Sequence, residues 1–458
     1  YKGFLKAYAC AMKGRKKMRF IVCGDALFSS RNLENRLDKK IVEKLKSADG
    51  GFVNAEFCTP NPETPPACGR GYMTSVRPAT LKEFSDLNLK MVGFVNNHTG
   101  DYGWQGVMDT MNAAEAHGLI ACGVGRDLRE ARLPKFLDTP TGRVGIVATG
   151  STRSEVFAAS NSGAGVAQRP GSNPLRWGRA YVLTDELFEQ LHNIDVALGT
   201  RKSMDEGCKV ETYPPQGNDS FKFGSLFEGC LQIERGEKSH VRTFVNEKDA
   251  EEVLKSVTDA SKRSDLTIFS LHTHEGLNEN WYAAEPPEFV EKIAHDAIDA
   301  GADVVVGHGA HFLRGVEVYK GKPIFYNIGS ILMEFEAGES IIAPEMYEAY
   351  GYAVDSRPSD LHTHRAKDKD GNFIGFNAER RFSENCLLQI DMDENGKFTY
   401  GLLPIDLCMN AEKPLHRGLP RVADTKTAHE IAEHMTKYSE AYGTKLEYDE
   451  KDGMIHIK

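Results

Sequence analysis

The 458-residue sequence predicts an α/β fold in which helices cover a largely parallel or mixed β-sheet. This prediction depends on two patterns that alternate through the first two-thirds of the chain. Short apolar runs rich in Val, Ile and Phe have the composition of buried strands, and segments with helical periodicity lie between them. The runs occupy residues 20–23, 51–53, 91–95, 144–148, 267–271, 302–306 and 323–328.

The clearest helix is predicted near residues 287–300. Two prolines stand at its start, apolar side chains then repeat at helical spacing, and Gly301 follows its end. Apolar repeats of the same kind near residues 37–45 and 253–257 indicate two further helices. Strand and helix signals therefore alternate in the order that is typical of α/β folds.

We expect three parts in the chain. Residues 1–17 are a basic leader without acidic residues, residues 18–335 a single domain, and residues 336–458 an extension packed on that domain. Within the domain, residues 151–240 interrupt the alternation with stretches rich in Gly, Ser and Pro. This predicts a long loop or an inserted lobe, which serves either as a lid over substrate or as variable surface.

The C-terminal extension has its own α+β pattern. Two apolar runs flank the turn residues 393–396, which predicts a β-hairpin. Residues 425–442 have helical periodicity, and a final hairpin is predicted to turn at residues 452–453. The basic leader is predicted to be solvated chain, with an arm that binds a membrane surface or anions as the alternative.

Composition favours a soluble globular enzyme. Hydrophobic residues make up 40% of the chain and charged residues 27%, and no window approaches the roughly 18 apolar residues of a membrane span. The net charge of −10 gives nucleic acid no general reason to bind. The nine cysteines form no CxxC pair, which argues against a disulfide framework and favours a reducing compartment. We expect a cytoplasmic protein, with an upstream membrane anchor as the open alternative; the oligomeric state is not predicted.

Polar clusters directly follow five of the apolar runs. Because the carboxyl ends of strands in an open α/β sheet gather along one edge, we expect these clusters to meet at one rim. Carboxylate and amide oxygens with imidazole nitrogens suit Mn²⁺, Fe²⁺ or Zn²⁺, and no cysteine joins them as it would in a structural zinc site. The clusters are Gly24-Asp25, Asn54-Ala55-Glu56, Asn96-Asn97-His98 with Asp101, His272-Thr273-His274-Glu275 and Gly307-His308-Gly309-Ala310-His311.

Each cluster taken singly also has a purely structural explanation. Gly24-Asp25 and Asn96-Asn97 are ordinary turn sequences, and a lone histidine at a strand end is more often hydrogen bonded than bound to a metal. Five clusters in order, each after a predicted strand, favour a metal centre over these explanations.

The order of the clusters resembles the motifs of the calcineurin-like metallophosphoesterases, and their details are similar to the CapA (poly-γ-glutamate capsule synthesis, PGA_cap) family. Glu56 stands where the wider superfamily has a bridging aspartate. Residues 96–103, 301–311 and 323–330 are similar to other signature segments of the family, and the likeness extends over residues 18–335. The resemblance implies a two-sheet α/β/β/α sandwich of the calcineurin-like type with a C-terminal α+β extension.

The resemblance also implies two divalent metal ions, of Mn, Fe or Zn. Their ligands would be Asp25 and His311 for one ion, Asn97, His272 and His308 for the other, and Glu56 as the bridge. His98 is implied as a general acid or a stabiliser of negative charge, oriented by Asp101. His274 would be either an additional ligand or a substrate contact.

Other basic residues are weaker candidates. Arg169 and Arg176 would clamp carboxylates of the substrate, or else form local salt bridges. His362 and His364 lie in a polar segment that contains proline, and we expect both to be solvated unless that segment folds over the metal edge. Residues 272–275 read His-Thr-His-Glu where the family usually has His-Trp-Gly, so the substrate contacts beside the metals are expected to differ.

The function implied is that of a CapA-like metal-dependent hydrolase. It would act on amide or peptide bonds, including γ-glutamyl bonds, through a hydroxide activated by two metals, with a peptide or a polyglutamate-like chain as substrate. Three alternatives stay open: a metallophosphoesterase, a peptide epimerase that uses the same site, and a non-catalytic component of poly-γ-glutamate synthesis or export. The bridging Glu56 and the missing Asp-x-His form of the first motif weigh against the phosphoesterase.

Overall fold

The computed structural model describes residues 17–69, 71–211, 217–225, 229–334 and 340–458. The predicted basic leader therefore lies outside the described residues, apart from Lys17, and so does the predicted domain boundary at residue 335.

The described strands are β1 (Met18–Phe28), β2 (Gly50–Ala55), β3 (Met91–Gly93), β4 (Ile120–Cys122), β5 (Val124–Gly125), β6 (Lys135–Thr139), β7 (Gly142–Gly150), β8 (Gly171–Ser172), β9 (Trp177–Leu183), β10 (Ser220–Phe223), β11 (Leu231–Arg235), β12 (His240–Val245), β13 (Leu266–Thr273), β14 (Val304–Gly309), β15 (Val316–Tyr319), β16 (Lys322–Phe325), β17 (Ser330–Glu334), β18 (Glu384–Met392), β19 (Phe398–Asp406), β20 (Arg421–Val422), β21 (Leu446–Asp449) and β22 (Met454–Ile457). The described α-helices are α1 (Leu33–Arg36), α2 (Lys39–Ser47), α3 (Lys82–Asp86), α4 (Gly103–Ala116), α5 (Leu128–Arg132), α6 (Ser154–Phe157), α7 (Asp185–Leu198), α8 (Thr200–Val210), α9 (Glu247–Ser261), α10 (Glu288–Asp299), α11 (Pro344–Ala349), α12 (Pro358–Ala366) and α13 (Thr425–Tyr438).

The first large sheet joins the start of the described chain to its end. Its order is β21-β22-β19-β18-β1-β2-β3-β4, with β17 beside β1 and β20 beside β19. Strands β1 to β4 are parallel, whereas β18 is antiparallel to β1. The hairpin predicted around residues 393–396 is β18 and β19, so the C-terminal segment contributes strands to the central sheet.

The second large sheet has the order β15-β16-β14-β13-β7-β6. Its four central strands, β16, β14, β13 and β7, are parallel, and the edge strands β15 and β6 are antiparallel to their neighbours. Every apolar run predicted as a strand within residues 142–328 is part of this sheet. The carboxyl ends of β13 and β14 therefore lie side by side.

The two large sheets pack face to face with helices outside. Alternate residues such as Phe20 and Ile146 point into the core that the sheets share. The intervening residues point outward, where Ile21 packs with side chains of α2 and α4, and Phe269 packs with side chains of α9 and α10. This arrangement confirms the predicted α/β/β/α sandwich.

Regular structure occurs inside the segment predicted as a loop or inserted lobe. Strands β9 to β12 form a four-stranded sheet of order β10-β11-β9-β12, and Phe188 of α7 packs on it against Phe221 and Ile233. The ring of Trp177 stacks on Phe289 with centroids 5.0 Å apart, which attaches this sheet to α10. A role of the segment as a lid stays a prediction.

The rest of the C-terminal segment packs on the sandwich. The predicted helix is α13, whose Ile431 and Met435 are buried in the core between the sheets, and the final hairpin is β21 and β22. Helices α11 and α12 pack elsewhere, around Met73, through Met346 and Leu361. The segment therefore reaches two separate parts of the domain.

None of the helices in the described residues is both long enough and apolar enough to cross a membrane. The described cysteines are free, as the scattered spacing predicts.

Candidate metal centre

Two pairs of neighbouring strands place a polar centre between the sheets. Asp25 of β1 lies beside Asn54 of β2, and His272 of β13 lies beside His308 of β14. All four residues are at most 2% exposed. Because these are carboxyl ends of parallel strands in both sheets, their side chains converge on one buried volume.

Donors from both sheets hold the Asp25 carboxylate. Its Oδ1 accepts a hydrogen bond from Asn54 Nδ2 at 2.8 Å, and its Oδ2 accepts one from the Gly309 backbone N–H at 2.8 Å. Gly309 has φ near 106°, and a Cβ there would lie 3.0 Å from the Thr273 backbone. Only glycine allows this close approach without strain, so it fixes the orientation of Asp25.

Glu56 directly follows β2 and lies among three imidazoles. Its Oε1 is 3.5 Å from His274 Nε2 and 4.0 Å from His98 Nε2, and its Oε2 is 3.6 Å from His311 Nε2. Two groups of potential ligand atoms, each within 4.8 Å of one another, share this carboxylate. The groups are Glu56, His272 and His274, and Asp25, Glu56 and His311.

Asn97 and His308 border the same volume. Asn97 Oδ1 is 2.8 Å from His272 Nε2 and 3.2 Å from His274 Nε2, which places the amide oxygen beside the group that contains these histidines. His308 Nδ1 lies 3.9 Å from Asp25 Oδ1. The structure thus brings the six residues predicted as ligands together with His274, and their division between two ions stays a prediction.

His311 adopts a backbone conformation that is unusual for its residue type. Its φ is 62°, in the left-handed region that costs a non-glycine residue about 1 kcal/mol or more. This conformation brings Nδ1 to 3.5 Å from Asp25 Oδ2 and Nε2 to the Glu56 carboxylate. The ring therefore connects the two carboxylates of the centre.

Orphaned polar atoms test whether these residues fit a cation. Both ring nitrogens of His308 and Oε2 of Glu56 are buried without a hydrogen-bond partner among the described residues. A buried polar atom left without a partner costs about 1–3 kcal/mol. Glu56 Oε2 and one ring nitrogen of the neutral His308 imidazole can offer lone pairs, and with the neighbouring carboxylate, amide and imidazole ligand atoms they fit divalent transition metals.

Electrostatics favour neutral imidazoles, the form that binds metals. Burial lowers the pKa of His272 and of His274 to about 3 and also lowers the pKa of His308. Burial raises the pKa of Glu56. These side chains therefore resist the charged state unless a counter-charge enters the centre.

The pKa values of Asp25 and His311 shift in the opposite direction to those of Glu56 and the other three histidines. The pKa of Asp25 is lowered and that of His311 is raised. Burial alone would raise the pKa of Asp25, but the hydrogen bond and charge of His311, with the neighbouring histidines, hold it below its usual value. Burial would lower the pKa of His311, but Glu56 and Asp25 raise it overall. The Asp25 carboxylate therefore stays charged and favours a cation beside it, either the protonated His311 ring or another cation.

His98 and Asp101 form a hydrogen-bonded pair at the edge of the centre. His98 Nδ1 is 2.6 Å from Asp101 Oδ2, which also accepts a hydrogen bond from the Thr74 backbone N–H at 2.9 Å. Asp101 is fully buried, and the bond fixes the ring so that Nε2 points towards Glu56. The geometry is the one required if Asp101 orients His98, and that role stays a prediction.

Two residues to which the sequence analysis gave no role support the centre. Asn54 Nδ2 contacts both Asp25 and His272 Nδ1, the latter at 3.1 Å. Arg314, which is fully buried, donates to the backbone carbonyls of Glu275 at 2.7 Å, His274 at 3.0 Å and Trp281 at 3.2 Å. Asn54 belonged to a recognised cluster, whereas Arg314 carried no signal beyond its place after His311.

The two arginines predicted as substrate clamps make contacts away from the centre. Arg176 forms a bidentate pair with Asp249, with N–O distances of 2.6 and 2.8 Å. This is a local salt bridge, the alternative that the sequence analysis gave to a substrate clamp. Arg169 Nε donates to the Ala158 carbonyl at 3.1 Å. Neither contact reaches the carboxylates of the centre, and substrate binding by these arginines stays a prediction.

The expectation of two solvated histidines near residue 360 was wrong for one of them. His362 is 5% exposed, because it lies on helix α12 instead of a loop and that helix packs around Leu361. Burial lowers the pKa of His362 to about 3. His364 is exposed. Hydrophobic packing of a short helix with little amphipathic pattern was not visible in the sequence.

One cavity borders the centre on the side of His98 and His311. We call it the arginine cavity; it has a volume of about 400 Å³ and is lined by Tyr282, Met333, Tyr350, His362, His364, Arg365, Ala366, Ile374, Gly375, Phe376, Asn377 and Arg417. The Phe376 ring packs edge-on against His311, with centroids 5.8 Å apart. Most of its wall therefore comes from the C-terminal segment.

A second cavity borders the centre on the side of His274. We call it the tryptophan cavity; it has a volume of about 460 Å³ and its lining includes Thr152, Arg153, Trp177, Arg179, Glu275, Glu279 and Trp281. The Trp281 ring lies 4.8 Å from that of His274, and Thr152 Oγ1 accepts a hydrogen bond from the His274 backbone N–H at 2.9 Å. Strands of the small sheet supply the opposite wall.

The fold and this centre define a class of protein: an α/β/β/α sandwich with candidate metal-binding groups at the strand ends. The family model of the bacterial capsule synthesis protein PGA_cap matches residues 19–334, and the chain belongs to this family. The resemblance predicted from the motifs is thereby confirmed.

Relatives extend the likeness beyond the matched region. The chain is 29% identical over 435 residues to the uncharacterized protein y4sH of Sinorhizobium fredii. This alignment covers 91% of this chain and 88% of the relative. It is 24% identical over 341 residues to a probable polyglutamine synthesis accessory protein of Mycobacterium tuberculosis, covering 74% of this chain and 67% of the relative. A solved phosphatase of Mycoplasma pneumoniae aligns with a TM-score of 0.37 and 12% identity, over 86% of this chain and 95% of the phosphatase.

Proposed function

We propose that this protein is a metal-dependent hydrolase that cleaves amide bonds in peptide substrates, including γ-glutamyl bonds. One observation carries the proposal: two groups of potential metal ligands share the buried Glu56, and the His98–Asp101 pair stands beside them. A purely structural centre would not be stabilised by buried ligand atoms that lack a hydrogen-bond partner.

The residues that would hold the cations follow from the geometry. Asp25 and His311 lie on one side of Glu56, and His272, His274 and Asn97 lie on the other, with His308 beside Asp25. Two divalent cations bound there would polarise the scissile carbonyl and make a water acidic enough to serve as nucleophile near neutral pH. Asn54 and the Gly309 N–H keep Asp25 turned towards this volume.

His98 would supply the proton that the leaving amine needs. With Nδ1 bonded to Asp101, only Nε2 faces the centre, so a proton carried there is directed at a bound substrate. Asp101 stabilises the imidazolium form and prevents the ring from turning. Because Nε2 is 4.0 Å from the Glu56 carboxylate, it reaches the edge of the centre without being one of the shared groups.

The substrate class is supported by the family description and by one relative. The family is named for capsule synthesis, and the Mycobacterium tuberculosis relative is named as a polyglutamine synthesis accessory protein. An amide-linked polymer of an acidic or amidated residue is consistent with both names. The word accessory in the relative's name favours a second candidate, a non-catalytic component of polymer synthesis or export.

Mass spectrometry of reaction products tests the proposal. The metal-loaded protein is incubated with γ-glutamyl peptides, ordinary peptides and phosphate esters, and the His98→Ala variant serves as control. We expect shortened γ-glutamyl peptides with the parent protein and none with the control. Release of phosphate alone would identify a phosphoesterase, a changed configuration without cleavage an epimerase, and no product from any substrate would favour the non-catalytic component.

A further inference from the structure

A buried carboxylate beside His274 gathers three hydroxyl groups. Glu275 is 5% exposed, and its Oε2 accepts hydrogen bonds from Ser151 Oγ at 2.6 Å, Thr273 Oγ1 at 2.7 Å and Thr152 Oγ1 at 2.9 Å. Hydrogen bonds to a carboxylate are roughly twice as strong as those between neutral groups. The cluster therefore fixes the segment that follows β7 against the end of β13, directly before His274.

Thr152 links this carboxylate to the backbone of His274. A hydroxyl has a single proton, and Thr152 donates it to Glu275, so the lone pairs of its Oγ1 are free to accept. They accept a hydrogen bond from the His274 backbone N–H at 2.9 Å. The side chains of Ser151 and Thr273 bond only Glu275 among the described residues. The carboxylate therefore acts on the His274 backbone through the Thr152 hydroxyl.

The carbonyl of His274 has a partner on a different element. The buried Arg314 donates to it at 3.0 Å and to the Glu275 carbonyl at 2.7 Å. Both polar groups of the His274 backbone are therefore hydrogen bonded to fixed side chains. The Trp281 ring packs beside the imidazole with centroids 4.8 Å apart, which further restricts where the ring can lie.

The restrained ring points into the candidate metal centre. Its Nε2 is 3.5 Å from Glu56 Oε1 and 3.2 Å from Asn97 Oδ1. Glu56, His272 and His274 form one of the two groups of potential ligand atoms. A ligand that is already held in place loses less freedom when the metal binds, so such positioning increases metal affinity.

We propose that Glu275 and Thr152 are positioning residues that hold His274 as a ligand of the ion that it shares with His272, and not as a substrate contact. The inference rests on the proposed function and deepens it, since it assigns the surroundings of one of the two cations. Neither positioning residue would touch the metal, because their effect passes through the His274 backbone N–H. Loss of such an outer partner typically costs about 10–100-fold in metal affinity.

Metal titration without turnover tests this assignment. Metal-free protein is titrated with Co²⁺, and the absorption spectrum gives the dissociation constant of each ion and reports changes in coordination. Thr152→Val keeps the shape of the side chain and loses the hydroxyl, and we expect it to weaken one ion about tenfold and leave the other within about threefold. Glu275→Gln should weaken the same ion, because an amide can donate where the carboxylate only accepts.

Ser151→Ala is the matched control, because Ser151 bonds the same oxygen of Glu275 and its side chain does not bond His274. Both ions should stay within about threefold of the parent in this variant. His274→Ala should weaken the affected ion at least as much as Thr152→Val does. The double variant should be no weaker than His274→Ala, since a positioning residue acts only through the side chain that it positions.

Circular dichroism melting curves establish that each variant is folded. Additive losses in the double variant, equal losses for both ions in Thr152→Val, or parent affinity for both ions in His274→Ala would each overturn the inference. Parent affinities in Thr152→Val, in a protein that hydrolyses γ-glutamyl peptides, would refute the inference and spare the proposed function. The expected metal affinities in a protein that hydrolyses none of the offered substrates would support the inference and refute the proposed function.

Discussion

Two cavities of similar size flank the same buried centre, yet they differ in charge and in origin. The arginine cavity is lined by Arg365, Arg417 and two histidines, mainly from the C-terminal segment. The tryptophan cavity is lined by both signs of charge, and its Arg179 is paired with Glu279. The two cavities therefore differ in the elements that form their walls and in the charged side chains that line them.

A single loop takes part in both walls. Trp281 lines the tryptophan cavity and the next residue, Tyr282, lines the arginine cavity. Arg314 holds this loop in place by donating hydrogen bonds to three of its backbone carbonyls. The loop also carries His274 at its start, so its position sets one face of the candidate metal centre as well as the partition between the cavities.

Glu56→Ala should have the largest effect, because it removes the carboxylate that both ligand groups share. We expect loss of most bound metal and of detectable turnover, whichever cavity holds the substrate. Elemental analysis and the rate of γ-glutamyl hydrolysis measure the two effects. Glu155→Ala, an exposed carboxylate in the tryptophan cavity, is the control that should keep both. Parent metal content in Glu56→Ala would rule out the bridging role.

His98→Ala should have the second-largest effect. The side chain that it removes lies on the arginine-cavity side of the centre. We expect metal content to be kept and single-turnover rate to fall about 10²–10⁴-fold, the usual contribution of general acid–base catalysis. Affinity for tri-γ-glutamate should stay close to that of the parent, since the ring is held by Asp101 and a general acid acts on the leaving group in the transition state. Loss of both metals in this variant would make His98 a ligand, and an unchanged rate would remove it from the mechanism.

Arg314→Met should affect both cavities together. The substitution leaves buried carbonyls of Glu275, His274 and Trp281 without their donor, which we expect to cost about 2–4 kcal/mol of unfolding free energy. Chemical denaturation measures this loss, and Arg143→Met at an exposed edge should cost less than about 0.5 kcal/mol. If only one cavity loses ligand affinity in the folded variant, the loop is not a shared wall.

The sequence predicted the centre far better than the cavities, for a physical reason. Asp25, His272 and His308 directly follow or end buried apolar runs, and parallel strands bring such positions to one edge whatever their exact register. Arg365 and Arg417 reach the same region from a short helix and an irregular loop. No periodic pattern fixes where such elements pack, so only the tertiary structure shows that they line the arginine cavity.

The same reasoning explains what the sequence did not show in the regions around the sandwich. His362 was expected to be solvated, but hydrophobic packing of α12 through Leu361 buries it. Residues 151–240 have few apolar runs, yet they include α7 and a sheet that share only a small core around Phe188. Small cores need few apolar residues, and their pattern in the sequence is correspondingly weak.

Glu279→Gln should have the smallest effect and the most specific one. It keeps the size of the side chain and its acceptor for Tyr181, but it removes the negative charge that pairs with Arg179. Arg179 in the wall of the tryptophan cavity would then lack the charge of this carboxylate partner. Because a partly exposed ion pair is worth at most about 1 kcal/mol, we expect carboxylate preference to rise by less than about fivefold.

Calorimetry with tri-γ-glutamate, and with the same oligomer carrying carboxamides in place of carboxylates, measures that change in the His98→Ala background, where no turnover disturbs the titration. Glu234→Gln is the matched control, since it breaks the Arg242 pair of the same small sheet, and neither residue lines the cavity. A gain in Glu279→Gln but not in Glu234→Gln would show that pairing within the wall is what keeps the tryptophan cavity from taking an anion. No gain in either would mean that the Arg179–Glu279 pair does not control anion binding in the tryptophan cavity.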